Sequence, residues 1–529
     1  MPDLLFHNGP IYTLDPQQPL VDALLVRDDR IISVGPAPVV RSVIEGHYEE
    51  VNLNGHALMP GLTDAHIHLM WTGLNALSID LDEVASLNVA LDRIAAHAAQ
   101  LPDGAWVRGH GWNHALWGNR WPTAADLDRV TAGHPALLSR KDGHSVWLNS
   151  AGLQLAGVDA ATGDPSGGAI QRDAQGEPNG ILLETANDLG YDAVPDYTYA
   201  EKRTAMQQAI AHCHRLGLTS LHMPEGPAAL AIFRDLRDAN ELRIRGLCHL
   251  RYNQLDQAIE LGLRSGLGDE WVRVGGVKIF SDGSLGSCTC HMLAPFVGTE
   301  SNYGLPTVPE EELHAAVIKA ATNGIALAIH AIGDRANRNV LDALSHPAVR
   351  AAHCAMPHRI EHAQHLDPAD IDRFAQLGVV ASMQPIHATA DMEIAERLLG
   401  RERCASSYAW QPLLRSGAIL AFGSDAPVET FDPWRGIHAA VTRQRPDNTP
   451  PGGWHPELAI SLQAALDAYT LGPTHASAET ALKGALIAGK LADLVVLDAD
   501  PFAIPSAELQ RVRVLQTVVG GQSVWEAPA

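Results

Sequence analysis

Six side chains suited to a metal centre stand at the ends of apolar segments spread along the chain. They are His66 and His68 in LMPGLTDAHIHL, Lys278 in VGGVKIFSDGS, His330 in IALAIHAIGD, His362 in RIEHAQ, and Asp425 in ILAFGSDAP. Imidazole and carboxylate groups suit zinc, and they bind manganese and iron comparably, so the pattern does not choose among these metals. Four imidazoles, one carboxylate and one lysine predict a site for two divalent ions.

The lysine of this set needs a chemical explanation, because an ammonium group does not bind metals. Lys278 fits if carbon dioxide converts its amine into a carbamate (N6-carboxylysine), which bridges two metals as a carboxylate does. Two metals that share a bridge activate water as hydroxide near neutral pH, which predicts hydrolysis. The alternative is an ordinary barrel lysine paired with Asp282 or another acid.

Two further features of the set bear on mechanism. His66 and His68 are two residues apart, so on a strand both rings point to the same side and can face one ion. Asp425 has a carboxylate that could take the proton from the attacking water and pass it to a leaving nitrogen. A role for Asp425 as a metal ligand only is the alternative.

The arrangement of strands and helices indicates how these side chains are brought together. Most of the eight apolar runs of strand character are separated by helix-like stretches such as EELHAAVIKAATNG. The runs are 58–68, 217–222, 244–250, 274–280, 325–331, 358–363, 378–384 and 418–425. Strands that alternate with helices predict an α/β fold with a parallel sheet, and eight of them predict a (β/α)₈ TIM barrel. The six side chains then lie at the C-terminal ends of the strands, where such barrels place their chemistry.

Three regions are expected. Residues 1–57 and 478–529 have short alternating strands at both ends of the chain, which predicts a composite β-sandwich built from the two termini. The barrel is expected to span residues 58–477. About 150 residues separate its first two strands, so residues 72–215 are interpreted as a subdomain inserted at the barrel mouth.

The tryptophan-rich segment WVRGHGWNHALWGNRWPT makes the insertion a candidate lid. Trp112 is predicted to form an apolar wall of a substrate pocket, with a core of the insertion built from these tryptophans as the alternative. A decorative insertion and an oligomer contact are the other interpretations. Gln384 and His387 end the seventh run and could contact substrate or form structural hydrogen bonds. Asp334 could orient His330 or cap a helix.

Composition excludes several classes of function. The chain has 529 residues and a net charge of −23, the opposite of a nucleic-acid-binding protein, and an acidic surface also disfavours anionic membranes. Its six cysteines have no zinc-ribbon spacing, which favours reduced thiols in the cytoplasm. The first residues have neither a basic region nor a long apolar core, so we expect no signal peptide and no transmembrane span. A small-molecule substrate is the expected partner, and the sequence does not decide whether the protein forms a homodimer.

Six motifs in order make the chain resemble the amidohydrolase superfamily, and more narrowly its YtcJ-like branch, amidohydrolase family 3. They are PGLTDAHIHL, VKIFSDGSLGS, IHAIGD, RIEHAQ, FGSDAPV and KGALIAGKLADLVVLDADP. The branch includes N-substituted formamide deformylases, and the match covers nearly the whole chain. The segment LTSLHMPEG stands where many relatives have His-Asp, so a role for His222 is not implied.

The resemblance implies a barrel with a composite sandwich and a specific distribution of ligands. His66, His68 and Asp425 would hold one metal, His330 and His362 the other, with carbamylated Lys278 as the bridge. It further implies that the DGHS motif, through His144, helps to bind substrate.

Three functions compete at this stage. The first is a hydrolase that uses two metals to cleave an amide or related C–N bond in an N-acyl or formamide-like substrate. The second is another enzyme of the same fold, a deaminase with one metal or a hydrolase of lactones or esters. Deaminases of that type lack the bridging lysine and often carry a glutamate shortly after the fifth-strand histidine, whereas this chain has Lys278 and reads HAIGD. The third is a non-catalytic binding protein, which an intact ligand set disfavours.

Overall fold

A computed structural model describes residues 2–528 of the chain, and an eight-stranded parallel sheet lies at its centre. Its strands are Leu62–Asp64, Leu218–Met223, Arg245–Arg251, Val272–Phe280, Leu327–Ala331, Arg359–His362, Val380–Met383 and Leu420–Phe422. Their order in the sheet is their order in the chain, as repeated β/α units require. The first and last strands nearly close the sheet into a barrel, because the amide of Ala65 donates to the carbonyl of Phe422 at 3.0 Å.

All eight predicted runs overlap a barrel strand, but the first run is shared between two sheets. Residues Ala57–Pro60 pair with Leu494–Leu497 in a different sheet, and only Leu62–Asp64 enters the barrel. Gly61 lies between them, where a Cβ would overlap the side chain of Thr219. An uninterrupted apolar sequence does not reveal such a change of sheet, because both segments are buried.

Strands from both ends of the chain form the second eight-stranded sheet. In sheet order they are Gln522–Glu526, Val514–Val519, Leu494–Leu497, Ala57–Pro60, Asp3–Tyr12, Leu20–Arg27 and Arg30–Gly35, with Tyr48–Asn52 beside Asp3–Tyr12. Gly520 and Gly521, both at positive φ, form the turn between the last two strands. Apolar side chains such as Phe6 and Leu494 form one of its cores. The two termini therefore stabilise each other.

The α-helices are distributed over the connections between barrel strands, the insertion and the region of the terminal sheet. They are Ala37–Ser42, Leu69–Asn75, Leu87–Ala98, Ala124–Asp128, Ser150–Leu155, Asn187–Ala193, Tyr199–Arg215, Pro227–Asp238, Leu255–Glu260, Glu310–Thr322, Asp334–Leu344, Pro347–Ala351, Ile371–Leu377, Pro385–Leu399, Trp410–Ser416, Pro433–Thr442, Leu462–Tyr469 and Leu471–Ala476. Short 3₁₀ turns occupy His114–Trp117, Tyr252–Gln254, Pro368–Asp370, Arg403–Ser406, Pro456–Leu458 and Ser506–Arg511.

Within residues 2–528, none of the helices has the length and apolar character needed to span a membrane. All six cysteines are free thiols.

The long connection after the first barrel strand has a sheet of its own. Its six strands, in sheet order, are Gly168–Arg172, Pro178–Glu184, Ser145–Leu148, Ala136–Arg140, Val107–Trp112 and Ile79–Asp80. Two separate apolar cores lie against this sheet. The following helix, Tyr199–Arg215, instead places Met206 and Ile210 in the barrel core. This helix is thus the crossover from the first to the second barrel strand.

Candidate active site

The six side chains predicted to bind metal line one cavity of about 700 Å³ at the C-terminal ends of the barrel strands. We call them the ligand ring: His66, His68, Lys278, His330, His362 and Asp425. His362 and Asp425 have φ values of 74° and 60°, a left-handed conformation that non-glycine residues rarely adopt. Such conformations occur preferentially at functional sites, where the surrounding structure holds them.

The distances in the ring are short enough for shared ions. His66 Nε2 and His68 Nε2 each lie 3.3 Å from Asp425 Oδ1. One ligand atom from each of His66, His362 and Asp425 falls within 4.8 Å of the others. The rings of His330 and His362 are 4.5 Å apart between centroids. The chain therefore gathers imidazoles and a carboxylate around one point.

Three polar atoms of the ring are buried without a hydrogen-bond partner in the described part of the chain: His66 Nε2, Lys278 Nζ and His330 Nδ1. Buried polar atoms are normally paired. These three belong to neighbouring side chains of one cavity, and the contact of His66 Nε2 with Asp425 Oδ1 at 3.3 Å does not have hydrogen-bond geometry. Asp282 is not the partner of Lys278, since its carboxylate accepts the backbone N–H groups of Ile332, Gly333 and His291 instead. The arrangement fits a metal centre with a modified lysine.

Each of three imidazoles is held by its other nitrogen. His66 Nδ1 donates to Glu361 Oε2 at 2.6 Å, and His362 Nδ1 donates to Gln384 Oε1 at 2.8 Å. His330 Nε2 donates to the carbonyl of Gly283 at 3.1 Å and lies 3.4 Å from Asp282. These bonds fix the ring orientations and leave one nitrogen of each ring facing the site.

Burial and neighbouring charges set the protonation of the ring. Burial lowers the pKa of Lys278 to about 8, which favours the neutral amine that carbon dioxide can modify. For Asp425 burial opposes ionisation, but the nearby His66 and His68 outweigh it and hold the pKa of the carboxyl well below its usual range. Asp425 is accordingly an anion at neutral pH.

Four residues of the insertion, Lys141, Asp142, His144 and Glu184, line the same cavity as the ligand ring; we call them the roof. His144 Nδ1 donates to Glu184 Oε2 at 2.7 Å, and its ring lies 5.6 Å from that of His330. Burial works against a charged imidazole here, but Glu184 and Asp142 outweigh it and raise the pKa of His144 to about 9. The roof thus presents a cationic imidazole to the ligand ring.

The apolar walls of the cavity are not the predicted ones. Trp112 is fully buried in the core of the insertion, where Nε1 donates to the carbonyl of Leu138 at 2.9 Å, and it does not line the cavity. Instead the cavity is lined by Trp71, Leu116, Tyr191 and Phe280. The tryptophans of the tryptophan-rich segment contribute to a buried core, in which Trp112 stacks on Trp117 and packs edge-on against Trp147.

The remaining predicted residues take distinct places. His387 lines the cavity and donates through Nε2 to the carbonyl of Ser424 at 3.2 Å. Gln384 is buried behind His362 and does not line the cavity. Asp334 is the first residue of the helix Asp334–Leu344 but makes no side-chain cap bond there. Its carboxylate accepts the N–H of Leu293 at 2.6 Å and so holds the loop after the fourth strand. Asp282, four residues after Lys278, is the acid beside His330.

Sequence reasoning missed two glutamates, Glu361 and Glu184. Glu361 stands directly before His362. In the buried strand RIEH, the charged residues Arg359 and Glu361 are separated by the apolar Ile360. That alternation was a usable indication of a polar barrel interior. Glu184 ends a strand of the insertion, and only the folded chain brings it to His144.

Comparison with known proteins agrees with this geometry. The model of the amidohydrolase family matches residues 49–525. The chain belongs to the amidohydrolase family. YtcJ of Bacillus subtilis (strain 168) is 33% identical over 99% of this chain and 99% of its own length. The N-substituted formamide deformylase of Arthrobacter pascens is 30% identical, also over 99% of both chains.

A solved structure shares the architecture of this amidohydrolase. An uncharacterized metal-dependent hydrolase from Pyrococcus horikoshii OT3 has a TM-score of 0.77 and 28% identity, with 95% of this chain and 99% of the other covered. The family resemblance of the motifs and the barrel fold are thereby confirmed. The protein is a member of a family of metal-dependent hydrolases.

Proposed function

We propose that this amidohydrolase uses two divalent metals, zinc being the best match, to cleave an amide or related C–N bond. The observation that carries the proposal is the cluster of three buried donor atoms without partners beside an ionised carboxylate. His66, His68 and Asp425 would hold one ion, His330 and His362 the other, and carbamylated Lys278 would bridge them. When bound, the metals supply a lowered water pKa and a polarised carbonyl.

Asp425 is the proposed proton carrier. Its oxygen lies 3.3 Å from two imidazole nitrogens, so it stands where an attacking water would be held. An ionised carboxylate can accept the proton of that water and return it to the leaving nitrogen. An amide needs this second transfer, because an amine leaves poorly without a proton.

His144 is the proposed oxyanion donor. Since its Nδ1–H is committed to Glu184, Nε2 carries a hydrogen only when the ring is charged, and the raised pKa keeps it charged at neutral pH. A cationic donor in the same cavity as the ligand ring would stabilise negative charge that develops on the carbonyl oxygen. His387 lines the same cavity and is a further proposed substrate contact.

The walls favour an uncharged substrate with an apolar substituent. Leu116, Tyr191 and Phe280 are large apolar side chains that remain partly exposed on the cavity surface. Three of the cations that line the cavity face carboxylates: Arg140 is paired with Asp142, Lys141 lies 3.0 Å from Glu429, and Arg445 lies 2.8 Å from Glu393. Arg397 also lines the cavity and donates to Asn119 Oδ1 at 3.3 Å. The formamide deformylase relative, which acts on N-substituted formamides by its name, supports the same class of substrate.

A panel of substrates tests this proposal. N-formyl and N-acyl amines with benzyl or alkyl substituents are compared with the matching esters, with lactones and with heterocyclic amines that release ammonia. We expect release of the free amine from the amides, with Asp425→Asn at equal metal content as the control. Turnover of esters or lactones without amide turnover, or ammonia release alone, would contradict the proposed reaction.

A further inference from the structure

A buried ion pair lies inside the barrel directly behind the ligand ring. Glu361 and Arg359 are 1% and 2% exposed, and both come from the sixth barrel strand. Arg359 Nη2 donates to Glu361 Oε2 at 3.1 Å, and Nε lies 2.6 Å from Oε1. The same Oε2 accepts the Nδ1–H of His66 at 2.6 Å. The carboxylate therefore joins a buried cation to a side chain of the ring.

Arg359 is itself held on several sides. Its guanidinium donates to the carbonyl of Ala65, to Ser382 Oγ, and to His222 Nδ1 at 3.0 Å. These partners come from the first, seventh and second barrel strands or the residues that follow them. Because the cation is fixed, the carboxylate that it holds is fixed too, and so is the ring of His66.

The three oriented imidazoles differ in the charge of the group behind them. His66 is backed by a carboxylate, whereas His362 is backed by the neutral amide of Gln384. His330 donates to a backbone carbonyl. A carboxylate that accepts from one ring nitrogen makes the other nitrogen more basic and a better metal ligand than a neutral acceptor does.

From these contacts we infer that Glu361 is a positioning residue that turns His66 Nε2 toward the cavity and strengthens its binding of a divalent metal. This inference rests on the metal centre of the proposed function. Glu361 touches no substrate in this account and acts only through His66. The rival explanation is a purely structural ion pair in which Glu361 neutralises Arg359 and the contact with His66 is incidental.

Zinc binding to the full-length protein, stripped of metal, separates the two explanations. Glu361→Gln keeps the size and an acceptor but removes the charge, so zinc affinity measured by competition with a chromophoric chelator should fall about 10–100-fold. Asp493→Asn is the matched control, because Asp493 forms a buried pair with Arg245 at 2.7 Å away from the ring. A structural role predicts that both variants lose thermal stability and both keep wild-type zinc affinity.

A second variant keeps the inference testable if Glu361→Gln does not fold. Gln384→Glu leaves the Arg359–Glu361 pair intact and places a carboxylate behind His362, so zinc should bind several-fold more tightly. Unchanged or weaker binding in this variant would overturn the inference, as would wild-type affinity in folded Glu361→Gln.

The outcomes also separate this inference from the proposed reaction. If the wild-type protein binds zinc but hydrolyses no amide, the reaction is wrong while the Glu361 comparison still decides the inference. If amides are hydrolysed and Glu361→Gln binds zinc normally, the reaction stands and the inference falls. A wild-type protein that binds none of zinc, manganese and iron refutes both.

Discussion

The ligand ring and the roof line one cavity, yet they are held in place in different ways. The imidazoles of the ring are oriented by hydrogen bonds within the barrel, such as His66 to Glu361. The roof is attached to barrel loops by polar contacts, among them Asp142 with Ser284 at 2.9 Å and Glu184 with Thr289. In the proposed function, the residues that would hold metal therefore belong to the barrel strands, and the proposed substrate contacts belong to a separate unit that can vary without disturbing those strands.

Gly143 shows how closely the roof approaches the barrel. Its φ is +73°, and a Cβ at this position would overlap the indole of Trp71, the residue whose ring packs 5.5 Å from that of His68. Only glycine allows this conformation and this contact together. The segment that carries the roof is therefore in close contact with Trp71, which packs beside His68 of the ligand ring.

The largest effect should come from the ring. Asp425→Asn keeps an oxygen near the metals but loses the base, so kcat should fall by roughly 10²–10⁴-fold while metal is partly retained. The measurement is kcat beside metal content on the same preparation. If kcat falls only modestly and in proportion to the lost metal, Asp425 is a metal ligand and not the proton carrier.

A smaller effect is expected from the roof. His144→Ala should lower kcat/KM by more than about tenfold with metal content unchanged, because one charged donor to the transition state is lost. Steady-state kinetics and melting temperature are measured together. Near-normal kinetics in a destabilised protein would instead make His144 a structural residue of the insertion.

The pH dependence of kcat/KM tests whether the roof acts through the charge of His144. The folded protein raises the pKa of His144 from 6.5 to about 9, so its charge stabilises the fold at low pH and, in the proposed role, would also support catalysis there. This stabilisation is fully present below pH 6.5 and is lost as the pH rises through 9. Glu184→Gln removes the main cause and should move the alkaline fall of kcat/KM to lower pH. A profile that does not move would show that His144 is not the titrating group.

The smallest effect on kinetics is predicted inside the insertion. Trp112→Phe removes the indole N–H that pairs with the carbonyl of Leu138, which should reduce the free energy of unfolding by about 1–3 kcal/mol. Because Trp112 does not line the cavity, kcat and KM should stay near wild type. Denaturant unfolding and steady-state kinetics check this prediction. A large rise in KM would indicate that Trp112 contributes to the substrate pocket after all.

The ring could be predicted from the sequence because each member lies at or just past the C-terminal end of an apolar strand, and parallel strands bring their ends to one face. Gln384 and His387 were also found near the site, although only His387 lines the cavity. The roof was harder to predict, since the Glu184–His144 contact joins two strands of an inserted sheet that pair antiparallel. The bond between His66 and Glu361 spans 295 residues, and nothing local to either residue indicates it. Tryptophan content indicated buried aromatic surface without showing which rings face the cavity.

The metal content of the wild-type protein, compared with Lys278→Ala, tests the central claim most directly. Lys278 Nζ is buried without a partner, and a carbamate there would hold two ions together. Elemental analysis of protein purified without chelator should give about two divalent ions per chain. Lys278→Ala should lose at least one of them and most of the activity. One ion per chain that neither added metal nor bicarbonate can raise, with Lys278→Ala as active as wild type, would contradict the account.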